Sequence, residues 1–283
     1  MKKQIFGDFP KEFSNPKTAK IAILPIPYDG TSTYGKGADK GPDAIIAASP
    51  YLENYDIETN SEVYKRGIYV EAPVKEKRSP EKMVAAVEKA AAEIIAKGKF
   101  YAGLGGEHSV TPGAVYPHAK KYKNLSVLQL DAHTDMREEF HGSKNNHACA
   151  MARVKDVCPV VQVGIRSVDI GEYQNIKKDK IFYAKDIHDN DAWMGKAVQQ
   201  LTDNIFITID LDVFDPAFMP STGTPEPGGL DWYQVLTFLR KVTKEKNVVG
   251  FDIVELAPKK GVPAPDFLAA KLVYTLLGYV FAK

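Results

Sequence analysis

Along this chain, short runs of apolar residues rich in β-branched types alternate with longer amphipathic stretches. IAILPI at 21–26, KFYAGL at 99–104, SVLQL at 126–130, PVVQVGI at 159–165, NIFITI at 204–209 and NVVGFDIV at 247–254 are apolar almost throughout. GIYV at 67–70 and KIFYA at 180–184 are weaker versions of the same pattern. A strand with one wet face would alternate apolar and polar residues, so near-continuous apolar strands predict a parallel sheet covered on both faces by helices. The intervening stretches supply helices. PEKMVAAVEKAAAEIIAKG over 80–98 has helical periodicity, with Ser79 placed to cap it, Pro80 at its first position and Gly98 as its stop. The stretches 232–246 and 265–282 follow the same pattern, the second apolar enough to pack on a sheet. The expected fold is a three-layer α/β/α sandwich with a central, mainly parallel, doubly wound sheet of about eight strands. No repeat, low-complexity tract or Gly/Ser linker divides residues 1–283, which are expected to form one domain.

Composition narrows the class without choosing a function. Hydrophobic residues make up 44% and charged residues 26%, which suits an ordinary globular protein. Lysine and arginine total 37 against 36 acidic residues, so no global field favours nucleic acid or an anionic membrane as a partner. The opening MKKQIFGDFPKEF lacks an apolar core behind its two lysines, and no apolar run is expected to reach the length of a membrane span; a cytoplasmic location is expected. Cys149 and Cys158 are expected to be reduced thiols, because a chain of this size needs no disulfide staple.

In a parallel sheet, ligands collect beyond the carboxyl ends of the strands, which makes the strand ends the places to read. KFYAGL runs into GGEHS, which carries His108; SVLQL runs into DAHTD, with Asp131, His133 and Asp135. NIFITI runs into DLD, with Asp210 and Asp212, and the last strand runs into VELAP, with Glu255. Residues two apart on an extended chain project to one side, so each cluster can converge on a point. Four aspartates gathered without cations would repel and raise one another's pKa, and two divalent ions would balance their charge. Two histidines and four carboxylates without a thiolate suit a borderline or hard ion such as Mn²⁺ better than structural zinc.

GGEHS, DAHTD, ITIDLDVFDPAFMPSTGTPEPGG and DIVELAP, in this order and spacing, resemble the signatures of the arginase/agmatinase ureohydrolases over residues 24 to 258. The resemblance implies two Mn²⁺ per chain, one held by His108, Asp131, Asp135 and Asp210, the other by His133, Asp131, Asp210 and Asp212, with Asp131 and Asp210 bridging. It also implies a homo-oligomer, a trimer or hexamer. A metal pair of this kind lowers the pKa of a shared water from about 15.7 toward neutrality and so supplies a hydroxide to attack a guanidinium carbon. Glu255 is expected to grip the planar guanidinium with its forked carboxylate, although a supporting bond to a metal-bound histidine is the competing role. His147, in NNHACAM, resembles the family histidine that passes a proton to the leaving amine; Asn146 stands where serine is expected, and His141 is the rival. Glu107 is expected to support or pack rather than ligate; for Arg166 a structural ion pair is favoured, with orienting a loop or contacting a neighbouring subunit as the alternatives.

Arginases resemble this chain in the metal motifs but follow DAHTD with small polar residues that hold the amino-acid head of arginine. Here Met136, Arg137, Glu138 and Glu139 follow. A guanidine with an ammonium at its far end is therefore the expected partner, agmatine first, with Glu138 or Glu139 near its tail. Aminopropylagmatine, guanidinobutyrate and arginine are the alternatives within the family. Outside it stand a one-metal deacetylase on a related fold and a noncatalytic guanidine-binding protein.

Overall fold

The computed structural model describes residues 4–282, so the lysines at positions 2 and 3 lie outside the described residues. All eight expected strands form: β1 Ile21–Ile26, β2 Ile68–Val70, β3 Phe100–Gly105, β4 Leu125–Leu130, β5 Val160–Ile165, β6 Ile181–Tyr183, β7 Asn204–Asp210 and β8 Asn247–Val254. They make one sheet in the order β2-β1-β3-β8-β7-β4-β5-β6. Every pairing is parallel.

Helices cover both faces. On one lie α1 (Gly41–Ala48), and, numbered later in the chain, α6 (Ala192–Gln200), α7 (Trp232–Glu245) and α8 (Ala264–Phe281). On the other lie α2 (Pro80–Ala96), α3 (Thr111–Lys121) and α4 (Ala150–Lys155); a short α5 (Ala184–Ile187) follows β6. Successive strand residues feed opposite layers: Ile205, Ile207 and Ile209 of β7 join the first core, and Phe206 between them joins the second. That two-sided demand is why the strands read as continuously apolar.

Local chemistry sets the helix ends. The Ser79 side chain accepts from the Lys82 amide, Pro80 opens α2, and Gly98 turns the chain out at φ +68°. Asp231 and Gln234 form a capping box at the start of α7. Helix α3 carries Pro117 in its interior, which breaks the local helix signal although packing holds the helix. By length and composition α8 could cross a membrane, contrary to the expectation that no run reaches that length. Its middle turns, with Leu272, Val273, Leu276 and Leu277, are wholly buried in the core, while Phe267 near its start is exposed.

The strand order decides where the chemistry goes. The chain makes β3, crosses over to β4, and later returns to insert β7 and β8 between them. The four strands that carry the ionisable motifs, β3, β8, β7 and β4, therefore lie side by side at the centre of the sheet, and the reversal of winding opens a crevice at their carboxyl ends.

Candidate metal centre and guanidine pocket

Immediately after β3, Gly106 passes so close to Tyr28 that a side chain would be driven into the Tyr28 carbonyl. This close approach delivers His108 to the crevice. Its Nδ1 lies 3.0 Å from Asp131 Oδ2, 3.0 Å from Asp135 Oδ2 and 3.5 Å from Asp210 Oδ2. None of these approaches has hydrogen-bond geometry, so the nitrogen and the three carboxylates converge on a common point without bonding to one another. On the far side of the ring Nε2 sits 2.9 Å from Thr208 Oγ1 of β7, which fixes the ring's orientation.

Beside this group stands a second. His133 Nδ1 lies 2.9 Å from Asp212 Oδ2 and 3.7 Å from Asp131 Oδ1. His108, Asp131 and Asp135 form one ligand-sized cluster, and Asp131, His133 and Asp212 another, with Asp131 common to both. The convergence differs in detail from that of an extended chain. Asp135 serves one point, His133 the other and Asp131 both, while Asp210 and Asp212 are not in line on a strand: Leu211–Val213 makes a 3-10 turn capped by the Asp210 side chain, which accepts from the Asp212 amide. Asp135 reaches its place only through a left-handed backbone, φ 52°, and Glu255 does so at φ 68°. Such conformations cost about 1–3 kcal/mol each and persist where the surroundings impose them.

The charges fit a resident cation. Burial pushes Asp135 up to about 6, with the Asp131 charge adding to it. Asp210 is raised well above the usual carboxylate range by burial and then by Asp212 and Asp131. Burial opposes a charge on His133, yet Asp212 and Asp131 hold it up to about 12. A site that must recruit protons to relieve its own anions is a site arranged around missing positive charge. The donor set, two imidazoles and four carboxylates, fits two divalent ions.

A cavity of about 190 Å³ opens over this centre, lined by His133, Asp135, Asp210, His147 and Glu255 and by Ser32, Tyr34, Arg137, Asp169 and Glu172, among others. Glu255 Oε1 accepts from the His108 amide at 2.7 Å, and burial, then Glu107, raises its pKa well above the ordinary value. His147 lines the cavity; burial lowers its pKa. Asn146 caps the turn before it by accepting from the Ala148 amide, a task serine would also do. His141 is exposed and stacks on Phe140, outside the cavity lining.

The structure does not put Glu138 and Glu139 where they were expected. Glu138 and Glu139 are exposed and do not line the cavity; Arg153 and Lys155 on α4 draw Glu138 to the surface, at 2.7 and 3.2 Å. Met136 does not line the cavity either; it is buried in the core beneath. Among the described residues Arg166 makes no ion pair; in line with its alternative role of orienting a loop, its guanidinium donates to the carbonyls of Asp212, Gly164, Val213, Phe214, Glu226 and Pro227 and so straps the loop after β7. Asp169 and Glu172, from the loop after β5, line the cavity instead. Arg137 bridges them at 3.3 and 3.2 Å. Nothing in their local sequence marks them. Thr31 and Ser32, which bond to the buried Glu107, were likewise missed, although YDGTSTYGKG is a loop-like stretch directly after β1.

Residues 19–278 match the model of the arginase family. The chain belongs to the arginase family. It is thus a ureohydrolase, a hydrolase of amidine C–N bonds acting on a guanidino group. The chain is 40% identical over 291 residues to the N(1)-aminopropylagmatine ureohydrolase of Synechocystis sp., covering 97% of this chain and 95% of that one. It is 34% identical to the agmatinase of Pyrococcus horikoshii, with 93% and 92% covered. Among solved structures, the agmatine ureohydrolase of Thermoplasma volcanium superposes with a TM-score of 0.85 at 31% identity, over 94% of this chain and 91% of that one. Members of the arginase family are binuclear metal enzymes, in keeping with the paired clusters around Asp131.

Proposed function

We propose that this ureohydrolase is manganese-dependent and acts on a guanidine with a cationic polyamine tail, N(1)-aminopropylagmatine foremost, adding water to release urea and the corresponding amine. The observation that carries the reading is the buried carboxylate of Glu255 beside the paired acid–histidine clusters, one oxygen anchored by the His108 amide. Two ions held by His108, Asp131, Asp135 and Asp210 and by His133, Asp131, Asp210 and Asp212 supply a hydroxide nucleophile near neutral pH when bound. Glu255 binds and orients the flat guanidinium through forked hydrogen bonds. His147 carries the proton that the leaving amine requires; burial favours its neutral form, which makes its protonated form the stronger acid toward the amine.

The tail reading rests on two supports. The name N(1)-aminopropylagmatine ureohydrolase is borne by the relative at 40% identity and by further ones at 36% and 32%. Asp169 and Glu172 with Arg137 leave one net negative charge in the cavity lining, which favours an amine over a carboxylate. Agmatine is the second reading, favoured by the agmatinases among the relatives. A urea-release assay on Mn²⁺-loaded protein with aminopropylagmatine, agmatine, guanidinobutyrate and arginine tests both. The two cationic-tailed guanidines should exceed arginine in kcat/KM by about 10² or more, because an anion set against the acid pair lacks partners. Equal efficiency on arginine would overturn the tail reading.

A further inference from the structure

The loop between β1 and α1 is tied to the centre of the molecule by one buried acid. Glu107 is fully buried, and its carboxylate receives the Thr31 amide at 2.7 Å, the Ser32 amide at 2.7 Å and the Ser32 hydroxyl at 3.1 Å on Oε2, with the Ser109 hydroxyl at 2.7 Å and the Thr31 hydroxyl at 2.6 Å on Oε1. The two amides can only donate, so the ionised carboxylate is the state that satisfies all five donors. Thr31 Oγ1 has a single proton, and Glu107 Oε1 is its nearest acceptor. That oxygen must therefore act as an acceptor toward everything else it meets. It meets His147 twice: the His147 amide donates to it at 2.9 Å, and His147 Nδ1 lies 3.1 Å away.

We propose that Thr31, oriented by Glu107, is the positioning residue of His147: its hydroxyl oxygen accepts the Nδ1 proton, fixing the neutral ring in the Nδ1–H tautomer and leaving Nε2 to exchange protons with the pocket. A neutral imidazole carries one proton, and the nitrogen that keeps it is set by the bond the other partner makes. Without Thr31 the ring could rotate or change tautomer, and both would remove the free nitrogen from the cavity. The arrangement resembles other acid–histidine pairs in logic, with a hydroxyl placed between carboxylate and ring so that the charge of Glu107 stays one residue removed.

This assignment rests on His147 as the proton carrier, and the test separates the two. Thr31→Val keeps the shape and removes the hydroxyl, whereas Thr31→Ser keeps the hydroxyl. Valine should lower kcat by about 10- to 100-fold, part of the roughly 10²–10⁴ that general acid–base catalysis supplies, with KM and two Mn²⁺ per chain retained; serine should restore most of the loss. In a His147→Ala background the valine substitution should cost nothing further, because coupled residues are not additive. Nitrogen NMR of the imidazole in metal-free protein should show Nδ1–H in the native chain and in the serine variant, and a mixture or the other tautomer in the valine variant. Native-like kcat in Thr31→Val, an additive loss with His147→Ala, or Nε2–H in the native chain would each overturn the positioning role. Native-like turnover in His147→Ala would instead overturn the proton-carrier reading, while the tautomer measurement would still decide what Thr31 does to the ring.

Discussion

Replacing Asp131 with alanine should weaken both metal sites, and the size of the effect follows from its place between them. Its Oδ2 lies 3.0 Å from His108 Nδ1 and its Oδ1 3.7 Å from His133 Nδ1, so one carboxylate faces both clusters. At about 4 Å and an effective dielectric constant of about 20, two unit charges interact by about 4 kcal/mol, hence about 8 kcal/mol with a divalent ion. Removing the carboxylate also eases the ionisation of Asp135 and Asp210, so the ion displaces fewer protons on binding, and an effect of the order of one such unit pair offsets about half. A net loss of about 4 kcal/mol per ion corresponds to roughly 10³ in affinity at each site. His108→Ala should fall mainly on one site, because its Nδ1 faces one cluster only. Titration of metal-free protein with Mn²⁺, followed by calorimetry and by the paramagnetic resonance of free ion, reads both constants. Asp131 also accepts from Gln129 Nε2 and from the His133 amide, each at 2.6 Å, so Asp131→Asn, which keeps one oxygen, serves as the control for folding. Loss at a single site in Asp131→Ala, or one ion per chain in the saturated native protein, would refute the shared-ligand reasoning.

Glu255→Gln should lower kcat/KM for every guanidine by about 10- to 100-fold, the worth of a hydrogen bond to a charged group, while metal stoichiometry stays at two by metal analysis. Asp169→Asn should raise KM for cationic-tailed guanidines about fivefold and leave guanidinobutyrate no worse, whereas Glu138→Gln should alter neither; steady-state kinetics on the four substrates distinguish these outcomes. Buried His118 donates from Nδ1 to the Ala114 carbonyl at 2.7 Å, and burial lowers its pKa from 6.5 to about 4. The folded chain therefore binds fewer protons than the unfolded one in that window, and this contribution to stability is present above pH 6.5 and lost as the pH falls toward 4. It amounts to about 3 kcal/mol, so denaturant titrations of His118→Gln should show a shallower acid dependence than the native chain; equal slopes would contradict the assignment.

What the sequence determined by itself were the parts whose cause is local. Short, near-continuous apolar runs named eight strands, and the cap at Ser79 and stop at Gly98 bounded α2, because backbone and side-chain preferences act over a few residues. GGEHS, DAHTD and DLD carry their donors within the motif, so the identity of His108, Asp131, His133, Asp135, Asp210 and Asp212 as a converging set was legible as soon as each was seen at a strand end. Only the tertiary structure decided how the sets face one another. Inserting β7 and β8 between β3 and β4 is a long crossover with no local signature, yet it alone makes the four motif-bearing strands neighbours. The acids expected near the tail show the same limit from the other side: Glu138 and Glu139 stand beside DAHTD in sequence, but both are exposed beyond the left-handed turn at Asp135, and Arg153 and Lys155 hold Glu138 at the surface. Asp169 and Glu172, some thirty residues on, take the place by the cavity because β5 lies next to β4. Proximity along the chain governs hydrogen bonds within a turn; proximity across a sheet is set by which strands pair, and that is decided by the whole core at once.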